Sequence, residues 1–248
     1  MTTNSMVHTV TMGTIAFARD KFMWRTPIVA AVGITIFITV FLKLGWVQQT
    51  VPLAAASLFI PVSGTTDPVG RRTITQLWTL LWLMLAALLG GLLSSHDTAV
   101  MVTGVVVGAV LAFICGFAGG AGANARTTGT LSLVLFAVFL GTPERQTGAL
   151  QDSLLVGLGG ILVMGWVILF RWIAHRPRTW GAPRVEPGVW ARLRPRLNTD
   201  DDFLRHGVRL AGSFTTATII AEALKWPHQY WIPLTVAWVS LPDVTGTA

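Results

Sequence analysis

The sequence predicts an all-α integral membrane protein with about eight transmembrane helices. Six form an N-terminal half, and two begin a duplicated second half. Three observations predict this. First, 52% of the 248 residues are hydrophobic and only 12% are charged, about half the roughly 25% charged residues of soluble domains. Second, the apolar residues fall into runs, and a spanning helix needs ~20 of them. Third, the basic residues collect on alternate segments between the runs.

Residues 1–24 form a polar N-terminal segment. It lacks the basic start of a signal peptide, and no convincing small-residue cleavage site follows the first run. The runs are Pro27 to Leu44, Val47 to Val62, Leu77 to Leu93, Ala99 to Ala118, Leu131 to Leu140 and Leu154 to Ile173, within a half spanning residues 25–174. A basic, proline-rich linker follows over 175–204. It holds Pro177, Pro183, Pro187 and Pro195, so helix is expected only from Gly188 to Arg194. Trp180 and Trp190 are placed at the membrane surface, and Asp200 to Asp202 at the start of the next helix. The last unit, 205–248, carries runs Val208 to Leu224 and Trp231 to Leu241. The second, fifth and eighth runs are short. Broken helices are tolerated where protein or a water-filled cavity covers the backbone.

Charge fixes an orientation. With the N-terminus cytoplasmic, 15 of the 18 Lys and Arg lie inside, and only Lys43, Arg145 and Lys225 lie outside. Nine of the arginines run from Arg171 to Arg209, beside an anionic leaflet that attracts them. The net charge of +7 is thereby accounted for, and no nucleic-acid partner is expected. The lone Cys115 sits in an apolar run and sets no disulfide framework.

One pattern occurs twice. Arg25, Trp46 and Gln49 precede Arg205, Trp226 and Gln229 by 180 positions; Pro52, Leu53 and Pro61 precede Pro233, Leu234 and Pro242 by 181. This reads as an internal duplication, a habit of transporter architectures.

The stretch Trp226-Pro-His228-Gln-Tyr230-Trp231-Ile-Pro-Leu-Thr-Val, ending in Leu241-Pro242-Asp243, resembles the signature of the fusaric-acid-resistance and aromatic-acid-exporter-like family of inner-membrane proteins. Asp67-Pro-Val-Gly-Arg71-Arg72, with Gly90-Gly91 on the next helix, is similar to that family's motif after its second helix. The resemblance covers residues 25 to 248. It implies efflux of small organic or aromatic acids across the inner membrane. It also implies two six-helix halves, so the chain reads as truncated after its eighth helix.

Candidate residues are weighed on this frame. The fourth run carries Gly104, Gly108, Ala112, Gly116 and Gly120, a small residue every fourth position. Close helix packing is favoured there over a substrate path. Glycines 119–122 lack the Lys and Ser/Thr of a phosphate loop. Glu222 is the one clear ionisable group inside a run, and a pair with Lys225 and a functional role weigh evenly. Asp67 and Asp243 follow the two proline-bearing helices, and with Arg71 and Arg72 they are candidates for a polar pathway; helix capping and loop salt bridges are slightly favoured. For His228 and Tyr230, interfacial anchoring is favoured.

No Ser-His-Asp order, metal-ligand spacing or helical HExxH stands in the sequence, so neither an enzyme nor a metal or cofactor is expected. The partners expected are the lipid bilayer, a small organic acid and a second copy of the chain in a homo-oligomer. Beside transport stands a different class, a structural or partner-binding membrane protein that moves no solute, or an inactive half-transporter.

Overall fold

The computed structural model describes residues 25–64, 69–142, 148–173, 188–224, 228 and 230–240. Among these, every regular element is helical. Nine α-helices follow in chain order. They are α1 (Arg25–Lys43), α2 (Val47–Phe59), α3 (Val69–Leu93), α4 (Thr98–Ala118), α5 (Ala123–Leu140), α6 (Ala149–Ile173), α7 (Val189–Leu193), α8 (Asp202–Leu224) and α9 (Trp231–Val239).

Four stretches are long and apolar enough to cross a membrane: Gly70–Leu93, Thr98–Ala121, Ala123–Leu140 and Ala149–Phe170. They mark the chain as a membrane protein. The other four expected segments stop short of that measure. The apolar parts of α1 and α2 are Ile28–Lys43 and Val47–Val62, both shorter. In α8, Asp202, Arg205, His206, Arg209 and Glu222 interrupt the apolar residues, and α9 has only nine residues.

Four helices start well before the hydropathy runs. α3 begins at Val69, not Leu77, because Arg71 and Arg72 belong to its first turns. α5 begins at Ala123, not Leu131. Gly122 takes φ +131 after a 3-10 turn at Gly119–Ala121 and lets the chain reverse. α6 begins at Ala149, not Leu154, and so takes in Asp152. α8 begins at Asp202, where Asp201 Oδ1 accepts from the backbone N–H of Phe203 (2.8 Å).

α5 is the central helix. Leu131, Leu135 and Phe139 face a cluster with α1, α2, α3 and α6, including Ala30, Ile60, Leu83 and Val163. Leu133, Phe136 and Ala137 face a second cluster with α4, α8 and α9, including Leu111, Leu210 and Phe214. Few α5 side chains are left for lipid. The outer helices do the reverse: Val102, Val106, Val110 and Ile114 make an exposed apolar stripe down α4. An apolar exterior of this kind is costly in water and fits lipid.

The N-terminal hairpin α1–α2 packs on α6, and the C-terminal hairpin α8–α9 packs on α4 and α5. Polar groups tie these layers together. Trp166 Nε1 donates to the Val29 carbonyl (2.8 Å), Ser153 Oγ to Met84 (2.9 Å) and Ser94 Oγ to Leu140 (2.7 Å). Most other hydroxyls return to their own helix four residues back, as Thr218 does to Phe214 (2.8 Å).

Candidate functional site

The expected pathway residues meet the end of α2. Pro61 has no N–H, so the last turn tightens to a 3-10 turn at Ile60–Val62. The Ile60 and Pro61 carbonyls then turn toward α3. Arg72, 4% exposed, donates Nη2 to Pro61 (3.0 Å), and Gln76 donates Nε2 to Ile60 (3.2 Å). The Ser63 hydroxyl also donates to Ile60 (2.9 Å). Arg72 and Gln76 lie four apart on α3, so one helix face closes the broken end of the other. At this contact Arg72 acts as a cap. Arg71 is half-buried beside it. Asp67 and Asp243, the proposed carboxylate partners, lie outside the described residues.

The polar line continues along α3 to Thr79, fully buried, whose hydroxyl lies 2.8 Å from that of Thr128 on α5. One turn on, Ser132 Oγ is buried with no hydrogen-bond partner. Sequence reading missed this line because threonine and serine do not stand out in an apolar run. It also missed Asp152. That carboxylate is 7% exposed in the first turns of α6. Starting the helix at Leu154 had left Asp152 in a loop; an amphipathic count extended backwards would have caught it. Glu222 is half-buried two residues before the end of α8, and its expected partner Lys225 lies outside the described residues.

The glycines of α4 all lie at contacts. A side chain on Gly104 would meet Leu140 Cδ1 at 2.9 Å, and one on Gly108 would meet the Phe214 and Phe136 rings at 3.0 and 3.1 Å. At Gly116 the neighbour is backbone, with Gly207 Cα at 2.8 Å. Gly120, past the helix end, faces Arg196 Cδ at 2.8 Å and the Phe203 ring. α4 and α8 form the most extensive helix pair. Among the described residues, these glycines are packed against neighbouring helices and turns.

The aromatic corner before α9 sits against α5. A side chain on Gly141 would meet Tyr230 Cβ at 2.6 Å. Tyr230 stacks on Trp231 with centroids 5.7 Å apart, and the His228 ring stands edge-on to Tyr230 at 5.8 Å. His228 is exposed and holds φ 60, a left-handed conformation that favours glycine and asparagine. Trp226 and Pro242 of the same motif lie outside the described residues.

A basic cluster lies where α4, α7 and α8 meet. Leu193 buries against Phe117 and Ala121. Arg196 lies over the Phe203 ring (4.7 Å), with Arg126 farther off (6.0 Å). Arg196 is 3.7 Å from Asp201, and Arg205 is 2.8 Å from Asp200. His206 is held below the ordinary histidine range, first by burial and then by the Arg209 and Arg126 charges. Among the described residues, no group of three His, Cys, Asp or Glu is placed to hold a metal ion.

No protein-family model matches the chain, and no solved structure matches it. Over 59 residues it is 41% identical to an uncharacterized protein, ORF2, of Neisseria gonorrhoeae. That stretch is 24% of this chain and only 14% of the Neisseria protein.

Proposed function

We propose that the protein is a transporter of the cell inner membrane that exports small organic, particularly aromatic, acids, with its N-terminus and the 175–204 linker cytoplasmic. In this reading it has eight membrane segments, with α1, α2, α8 and α9 joining the four longer ones. The likeness to the fusaric-acid-resistance family supports the substrate class.

One observation carries the reading. Two hairpins, each a longer helix followed by a short one containing proline, flank a central bundle, and their sequences repeat at offsets of 180 and 181. Paired, interrupted helices around a fixed core are how transporters build a moving site. The 15-to-3 split of basic residues supports the orientation.

The test compares cells with and without the gene, loaded with a weak aromatic acid such as benzoate or fusaric acid. Cells lacking it should retain several-fold more acid, and restoring it should reverse this. Equal retention across a panel of such acids overturns the export reading. A cysteine at Pro187 should resist an impermeant thiol reagent in intact cells, and strong labelling there overturns the orientation.

A second reading is favoured by how the polar groups are used. Arg72 and Gln76 are engaged with backbone carbonyls, and α4's glycines with neighbouring helices. On this reading the chain is a structural or partner-binding membrane protein. A transport-null result with a stable co-purifying partner selects it.

A further inference from the structure

Two grooves meet at Arg209. The first, about 680 Å³, is lined by Thr199, Asp202, Leu204, Arg205, Val208 and Arg209 at the start of α8. The second, about 620 Å³, runs on from Arg209 between α8 and α9, past Gly212, Ser213, Thr216, Ile220, Ile232 and Val236. The first carries the charged groups Asp202, Arg205 and Arg209 on a largely apolar wall that includes Leu204 and Val208. The second is mainly apolar, with two exposed hydroxyls near its upper end.

We propose that this continuous groove binds one anionic phospholipid of the cytoplasmic leaflet, its phosphate on Arg209 and Arg205 and one acyl chain along α8 and α9. The proposal rests on the orientation given above.

Charge argues for the phosphate end. Arg205 gives Nη2 to Asp200 (2.8 Å) and Nε to the Thr199 carbonyl (3.0 Å), so part of its fork is engaged. For Arg209 one long bond is recorded, Nε to the Arg205 carbonyl at 3.4 Å. Arg209 is therefore the main phosphate contact, with Arg205 beside it. Asp202 lines the same cup, and His206 feels the charges of both Arg209 and Arg126. An arginine at the start of the third turn of a membrane helix reaches for the headgroup level, where anionic lipid supplies its counter-charge.

Length argues for the acyl chain. From Arg209 to Ile220 is 11 residues, or ~16 Å of helix. One leaflet of hydrocarbon is ~15 Å thick. Ser213 lies about 6 Å beyond Arg209 along the axis, where a glycerol ester carbonyl follows the phosphate. The floor is open, because a side chain on Gly212 would meet nothing within 4 Å. Among the described residues, Arg209, Ser213 and Thr216 are exposed along this face.

The experiment is native mass spectrometry of the purified full chain in detergent, with equimolar phosphatidylglycerol and phosphatidylcholine of matched chains. The wild type should retain phosphatidylglycerol about fivefold or more over phosphatidylcholine, the size expected for one surface arginine. Arg209→Gln should bring the two near parity, and Arg209→Lys should keep the preference. Gly212→Trp, at a position where an added Cβ meets nothing within 4 Å, should lower retention of both lipids while circular dichroism stays unchanged. Millimolar inorganic phosphate should not displace the lipid. Equal retention of both lipids, a preference that survives Arg209→Gln, or displacement by phosphate would overturn the proposal. So would a lipid-free dimer, with a second copy in the groove. Export of aromatic acids is a separate readout, so either idea can fail alone.

Discussion

Gly116→Ala is the sharpest probe of the α4–α8 contact. The added Cβ would stand 2.8 Å from Gly207 Cα and 3.3 Å from its N. Both atoms are backbone, so no rotamer change relieves the clash. Carbon pairs are comfortable at ~3.5–4.0 Å, so the helices must part by about 0.7 Å at that level. A gap of that size forfeits about a quarter to a half of the dispersion energy across a contact, and overpacking of this kind costs roughly 1–3 kcal/mol. Alanine returns up to about 1 kcal/mol through its better helix propensity. The expected net loss is about 1–2 kcal/mol, or a melting temperature roughly 2–8 °C lower for a chain of this size. Gly212→Ala is the matched control: the same substitution on α8, one of the two helices, with open space around it. It should be neutral or stabilise slightly. Thermal unfolding in one detergent, followed by tryptophan fluorescence, ranks the three proteins. If Gly116→Ala melts at or above Gly212→Ala, the close-approach argument is wrong.

Other perturbations separate the remaining contacts. Gly108→Leu should be worse than Gly116→Ala, because the Phe136 and Phe214 rings that crowd it are fully buried; a folded, monodisperse variant with an unchanged melting temperature would count against that packing. Arg72→Met should lower stability by about 1 kcal/mol or more, the cost of leaving the half-buried Pro61 carbonyl without its donor, and an equal melting temperature would show that Arg72 does not cap α2. Trp166→Phe should cost about 1 kcal/mol or more through the lost bond to Val29, read as faster exchange of α1 amides. His206, whose folded pKa is lowered, binds its proton more readily when unfolded; stability should be full above the ordinary histidine range and fall as pH drops below it. His206→Gln should flatten that slope between about pH 7.5 and 5, and parallel slopes for the two proteins would remove His206 as its source.

Much of the bundle was legible because hydrophobic runs and membrane helices share one cause. Ala99 to Ala118 differs from α4 by a single residue, since Asp97 and its turn punctuate it from outside; Asp97 Oδ1 accepts from Ala99 N (2.8 Å). Starts were misplaced where a helix begins with charge or glycine. Arg71 and Arg72 look like loop residues, yet they belong to the first turns of α3, and Arg72 reaches the Pro61 carbonyl at the end of α2, where the helix stops. Asp152 was lost the same way. The centrality of α5 was not legible at all. Its run looked short and weak, because a helix covered by protein on every side needs no lipid-facing apolar stripe and tolerates Thr128 and Ser132. The glycine spacing on α4 was readable, but not that α8 would be its partner. Spacing specifies that something approaches closely, and only the tertiary fold says what.

The repeat in sequence has a counterpart in burial, and its exception is informative. Ala30 and Ile34 are buried, as are Leu210 and Phe214, 180 positions later; Pro52 and Ala56 are buried, as are Pro233 and Ala237, 181 later. Each hairpin therefore presents the same face to the central bundle. Gly33 and Ser213 break the match. Trp166 of α6 lies over Gly33, so closely that a side chain there would clash, and its indole N–H reaches the Val29 carbonyl. The equivalent Ser213 is exposed at the groove beside Arg209, the residue that matches Val29. Leu53 shows the same asymmetry: it is 1% exposed beneath Gly159 of α6, while Leu234 is only half-buried. The two hairpins thus share their inward faces and differ at the face that α6 closes in the first. There an apolar Val and a Gly give way to an Arg and a Ser, a change of chemistry as well as of cover. A helix packed like α6 would strand the Arg209 charge against apolar side chains, at a cost that a lone buried guanidinium makes prohibitive. A phosphate-bearing amphiphile would neutralise the charge and cover the apolar floor together, so the divergence of the repeat at these two positions favours the lipid proposed for this groove.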